Sequence, residues 1–121
     1  MGTVKKIIIL HGWAYEHTKW VPFVNELIKA GFDIRLLDIP GLTAPLDEVW
    51  QLDDYVNWLR ENIQSEPTSV ALLGHSNGGR IALAYTAKYP TKISHLILID
   101  SAGIYHNEFP IMLKRLVFRL K

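Results

Sequence analysis

A chain of 121 residues, 49 % hydrophobic and 21 % charged, has the composition of a globular protein and about the size of one domain, so a single domain over 1–121 is expected. A formal net charge of +1 with no basic run interleaved with aromatics argues against nucleic acid as a partner, and the absence of cysteine removes disulfides, thiolate metal sites and cysteine nucleophiles. No apolar run approaches a bilayer span and the chain enters a strand too soon after Met1 for a signal peptide, so the expectation is a cytoplasmic protein without stable membrane insertion.

Val4 to Leu10 holds the continuous apolar run Ile7-Ile8-Ile9-Leu10, the pattern of a strand covered on both faces. Trp20, Phe23, Val24, Leu27 and Ile28 share one helical face, with Pro22 expected in the first turn and Gly31 placed to stop the helix. Phe32 to Leu37 alternates apolar with charged residues and reads as a strand with one polar side or an exposed edge. A loop follows over Gly41 to Trp50, and Leu52, Tyr55, Val56, Leu59 and Ile63 trace the next helix, with Asp53 and Asp54 in its first turn. Thr68 to Leu73 reads as a third strand, Gly79 to Tyr89 as a helix and His95 to Ile99 as a fourth strand of the buried type. Residues 108–121 form a basic amphipathic helix by pattern, suited to packing on protein or to lying on a membrane surface. Strands alternating with helices make the sheet parallel.

Between the third strand and its helix stands Gly74-His75-Ser76-Asn77-Gly78, a serine bracketed by glycines in the spacing G-x-S-x-G. The spacing has a steric cause. A sharp strand-to-helix turn strains the serine backbone and brings its neighbours close, and glycine keeps Cβ atoms out of the way. The turn presents the hydroxyl at the tip of the strand, beside the free N–H groups of the helix that starts there.

His11-Gly12-Trp13 follows the first strand directly. In a parallel sheet both segments lie at the carboxyl ends of strands, where the backbone N–H beyond Gly12 can converge with that of Asn77 on one oxyanion. One nucleophile and two donors suit acyl transfer. No phosphate-binding glycine motif and no H-E-x-x-H spacing is present, so neither cofactor nor metal is expected.

Taken together, His11-Gly12-Trp13, Asp38-Ile39-Pro40-Gly41, Gly74 to Gly79 and Leu98-Ile99-Asp100, each at a strand end, resemble the α/β-hydrolase family and its carboxylesterase-like members. The resemblance covers nearly the whole chain and implies a three-layer α/β/α sandwich with a parallel sheet, the front half of the family's fold, in which the first and third strands are neighbours. It implies Ser76 as nucleophile and the N–H groups of Trp13 and Asn77 as the oxyanion hole, with Gly12 giving access. The family usually takes its acid and histidine from later strands than this chain holds. Some members carry the acid after the fourth strand, which makes Asp100 either that acid or a strand-end carboxylate capping a turn.

Each of the five histidines is then judged by position. His95 opens its strand about 15 Å from the active end, at about 3.3 Å per residue. His75 is expected to point away from Ser76 by strand alternation, and His11 resembles the family's structural histidine behind the oxyanion loop. His17 and His106 fall in loops near the mouth, and His106 is taken as the candidate base. The reading is a serine hydrolase of small carboxylic esters or lactones. The alternatives are a weakly active or inactive binding module, and an acyltransferase or peptidase on the same scaffold. Self-association through the exposed edge of the fourth strand is also expected.

Overall fold

The computed structural model describes residues 5–13 and 17–102. Four strands and three helices alternate along the chain. They are β1 (Lys6–Leu10), α1 (His17–Lys29), β2 (Asp33–Leu37), α2 (Leu52–Gln64), β3 (Val70–His75), α3 (Asn77–Lys88) and β4 (Ile93–Ile99), with a 3-10 turn at Pro90–Lys92. The strands form one sheet in the order β2-β1-β3-β4, parallel throughout.

The run of β-branched residues in β1 is buried on both sides because its alternate side chains enter two different cores. Ile7 and Ile9 join Ala71 and Leu73 under Trp20, Val24 and Leu27 of α1. Ile8 and Leu10 join Val70 and Leu72 against Val56, Leu59 and Ile63 of α2 and Ile81, Ala82 and Tyr85 of α3. The result is the three-layer sandwich that the resemblance implied, on the parallel sheet expected from alternating strands and helices. Chain direction across the sheet reverses at β1, with β2 on one side and β3 on the other, so the carboxyl ends of β1 and β3 flank a topological switch point.

Element ends differ from the sequence reading in places. Helix α1 begins at His17, which puts Pro22 inside the helix rather than in its first turn. The missing Pro22 N–H leaves the Thr18 carbonyl without its helical donor on an exposed stretch where water can serve it. Phe23 and Ile28 of the expected stripe remain exposed, and the face on the sheet narrows to Trp20, Val24 and Leu27. Gly31, at φ +97°, does end α1, and Phe32 N–H donates to the Leu27 carbonyl across it at 3.1 Å. Strand β4 begins at Ile93, so His95 is not its first residue, although its pairing with Ala71 still puts it at the end remote from Ser76.

The opposite end of the sheet is held by charge. Glu66 is 6 % exposed and accepts from Lys6 Nζ at 3.0 Å and from Arg35 Nη1 at 3.2 Å, while Arg35 Nη2 donates to Asn62 Oδ1 at 2.7 Å. The polar side expected of β2 is thus Arg35 reaching over to α2. The hydrogen bond to Glu66 holds the Lys6 ammonium above its ordinary pKa, against the opposing effect of partial burial. The amphipathic segment 108–121 lies outside the described residues.

Candidate active site

The glycines around Ser76 are fixed by contact. A Cβ on Gly74 would stand 2.5 Å from Gly79 Cα and 2.6 Å from the Gly78 carbonyl oxygen. On Gly78 it would run into the Leu10 carbonyl oxygen and come within 2.5 Å of that of His11, and on Gly79 it would meet Ser101 Oγ at 2.5 Å. Helix α3 therefore starts in direct contact with the end of β1, and only glycine permits that approach. Ser76, squeezed between β3 and α3, has φ +52° and ψ −118°, a conformation costly for a residue with a Cβ.

That strained backbone is pinned from β4. Ser76 N–H donates to the Ile99 carbonyl at 3.2 Å, and the Ser76 carbonyl accepts from Ala102 N–H at 3.0 Å and from Arg80 N–H at 3.2 Å. The loop that leaves β4 thus holds the turn carrying the serine. Asp100 lies in that loop at φ +44° and is exposed. It is not among the residues lining the cleft at Ser76.

That cleft has a volume of about 530 Å³. It is lined by Gly12, Trp13, Lys19, Trp20, Phe23, His75, Ser76 and Ile99. His75 corrects the sequence reading. The side chains of β3 do alternate, but the positive φ at Ser76 breaks the alternation, so both His75 and Ser76 open into one cleft. The His75 imidazole lies edge-on to Trp20, with ring centroids 5.9 Å apart. A Cβ on Gly12 would stand 2.9 Å from His75 Nδ1 and 3.0 Å from Ser76 Cβ, so Gly12 lets the loop after β1 close over the serine.

His11 is fully buried beneath that loop. Its Nδ1 must donate to the Gly12 carbonyl, at 2.8 Å, since the carbonyl can only accept. Nε2 is then the lone-pair nitrogen and accepts from Thr43 Oγ1–H at 3.0 Å, while Thr43 Oγ1 itself accepts from Ile39 N–H at 3.0 Å. The relay ties the loop after β1 to the loop after β2. Burial lowers the pKa of His11 below the ordinary 6.5, outweighing the opposing pull of the Gly12 carbonyl and the Asp38 carboxylate. Sequence alone gave Thr43 no role, because a loop threonine carries no pattern.

Trp13 is 74 % exposed and stands between two clefts. Asn77, the first residue of α3, is half-buried and lines the second of them. The structure thus gathers Gly12, Trp13, Ser76 and Asn77 at the carboxyl ends of β1 and β3. His106 and the side chain of His17 lie outside the described residues. Among the described residues no group of three or more histidine, aspartate or glutamate side chains converges as a metal site would require, and no helix is long and apolar enough to cross a membrane.

A parallel sheet with its switch point at a strained serine between strand and helix defines a class, the serine-bearing α/β fold of hydrolytic enzymes. The sequence family described as the alpha/beta hydrolase fold matches residues 5–120, and the chain belongs to that family. Among its relatives, a monoacylglycerol lipase of Xenopus laevis is 30 % identical over 113 residues, covering 87 % of this chain and 33 % of the relative. A pimeloyl-[acyl-carrier protein] methyl ester esterase of Legionella pneumophila is 30 % identical over 103 residues, 84 % of this chain and 40 % of the relative. In structure the chain is similar to a marine microorganism esterase, with a TM-score of 0.70 and 32 % identity over 94 % of this chain and 44 % of that one. The chain therefore spans less than half the length of these relatives, all of which are ester hydrolases by name.

Proposed function

We propose that the chain carries the nucleophile and oxyanion half of a serine ester hydrolase acting on small carboxylic esters or lactones. The observation that carries this reading is the backbone of Ser76, held at φ +52° between three obligatory glycines and two hydrogen bonds from the β4 end. Strain of this kind persists where surrounding structure over-determines it, and a nucleophile elbow uses it to expose a hydroxyl at the mouth of a cleft. Membership of the hydrolase family and the ester-hydrolase names of the relatives support the same reaction class.

In the proposed reaction Ser76 Oγ bonds to the ester carbonyl carbon and gives up its proton to a general base. The N–H groups of Trp13 and Asn77 donate to the oxygen that becomes negative, reinforced by the positive end of α3. Collapse breaks the bond to the alcohol oxygen, which takes the proton and leaves. Water then attacks the acyl-serine by the same route in reverse. Asp100 is proposed as the acid that orients the base and His106 as the base. An acyltransferase would differ only in replacing that water by another acceptor.

The test is hydrolysis of p-nitrophenyl butyrate. Ser76→Ala should reduce kcat by about 10³-fold or more with the fold intact. In the proposed scheme the rate rises with pH through the histidine range, about 6.5, and collapses in His106→Ala. A histidine-like profile that survives both His106→Ala and His17→Ala would overturn the assignment of the base. Activity that survives Ser76→Ala would overturn the nucleophile.

A further inference from the structure

Among the described residues, two that are not glycine have positive φ, Ser76 at +52° and Asp100 at +44°. They stand side by side. His75 and Ile99 are the last residues that β3 and β4 pair, so Ser76 and Asp100 hold the next position on each chain. The strain at Ser76 belongs to the turn that presents its hydroxyl. Asp100 is exposed and follows a strand end, so its strain has a separate cause.

The hydrogen bonds supply that cause. In a parallel ladder the bonds are evenly spaced, so a residue that donates to one carbonyl of its neighbour accepts from the N–H two residues further along. Ser76 N–H donates to the Ile99 carbonyl at 3.2 Å, which makes residue 101 the regular donor to the Ser76 carbonyl, yet the donor is Ala102, at 3.0 Å. One extra residue therefore stands between the two bonds. That is the content of a β-bulge, and the form that begins with a left-handed residue usually has glycine there. Aspartate is among the few residues with a Cβ that tolerate the conformation. Ser101, the residue displaced by the bulge, packs on the first turn of α3, where a Cβ on Gly79 would meet its Oγ at 2.5 Å and its Cβ at 2.7 Å.

We propose that Asp100 is a positioning residue for Ser76 that acts through its backbone. Its left-handed conformation opens the bulge, and the bulge lets β4 grip the peptide groups on both sides of a serine already turned out of its strand. The second of those groups matters twice. A planar trans peptide points its carbonyl and its N–H in opposite directions, so the bond from Ala102 to the Ser76 carbonyl also aims the Asn77 N–H, the donor assigned to the oxyanion. The consequence for catalysis rests on the proposed reaction at Ser76, whereas the grip rests on the backbone alone. Neither needs the Asp100 carboxylate.

The experiment compares four variants that all lack that carboxylate, Asp100→Gly, Asp100→Asn, Asp100→Ala and Asp100→Val, so any contribution of the acid is removed from each alike. Two rates are read below the melting transition of every variant: fluorophosphonate labelling of Ser76, followed by peptide mass spectrometry, and amide hydrogen exchange at Ser76 and Ala102. Glycine and asparagine accept positive φ, so their rates should agree, while labelling and amide protection should fall by about fivefold in the alanine variant and about twentyfold in the valine variant. If Asp100→Val does not fold, the comparison of Asp100→Gly with Asp100→Ala decides. Equal labelling and equal protection across the folded variants would overturn the proposal. So would a melting temperature that falls from the glycine to the valine variant with labelling unchanged, since the bulge would then be scaffold alone. Protection lost in the expected order, in a protein whose wild type takes no label, would sink the reading of Ser76 as nucleophile and leave the grip standing.

Discussion

At Ser76 the backbone conformation and the side chain can be separated by substitution. Alanine removes the hydroxyl but keeps the Cβ that makes φ +52° costly, whereas glycine removes both. Ser76→Gly should therefore be more stable than Ser76→Ala by about 1 kcal/mol, the low end of the cost of one strained residue after glycine's own loss of entropy. Urea denaturation midpoints of the two variants decide it, and equal midpoints would mean that the turn stores no strain. His11 is a different case, since its ring is scaffold for the loop after β1 and makes two hydrogen bonds from full burial. His11→Ala should cost about 1–3 kcal/mol at pH 7.5, because Thr43 and the Gly12 carbonyl lose their partner. Its pH dependence has a definite sign. A histidine whose folded pKa is lowered binds its proton more readily in the unfolded chain, so its contribution is complete above about 6.5 and is lost as pH falls through that value toward the folded pKa. The gap between wild type and His11→Ala should narrow from pH 7.5 to pH 5 in thermal melts. A gap that widens toward pH 5 would contradict a neutral, buried His11.

Among the elements, the two central strands, β1 and β3, were the most legible in sequence because each is buried on two faces and so reads as an unbroken apolar run. Ile7 to Leu10 shows it best, with odd and even positions entering separate cores. Helix α1 was read less well. Its beginning at His17 carries no capping signal, and Pro22, which in sequence marks a first turn, is tolerated deeper because its side of the helix faces water. Strand β4 carries the sharpest expectation at this scale. It is the last strand of the described sheet, and its hydrogen-bonding groups on the side away from β3 are those that would template another strand. A 121-residue polypeptide should therefore self-associate as its concentration rises. Light scattering checks this, and a stable monomer at high concentration would show that the edge is covered.

For the molecule as a whole, the turn between β3 and α3 was legible in sequence, whereas its surroundings were not. Gly74, Gly78 and Gly79 stand out because the close approaches of α3 to β1, β3 and the β4 end demand glycine at fixed spacing, and such demands are local. His75 was misassigned by a rule that holds along β3 and fails one residue later, at the positive φ of Ser76. Thr43 left no signal, because what brings it to His11 is the packing of two loops that are distant in sequence. Sheet order, strained serine and buried histidine are nevertheless one design. The order in which strands are added to the sheet turns back at β1, Gly78 lets α3 pack against the end of that strand, and the β4 end holds the turn that carries Ser76. The proposed reaction requires Ser76 to be an activated nucleophile, and reaction with a fluorophosphonate probes that property itself, since an ordinary serine does not react. A single phosphonyl adduct is expected, mapped by peptide mass spectrometry to Ser76 and absent from Ser76→Ala. A folded protein that takes up no label, or one that is labelled equally after Ser76→Ala, would contradict it.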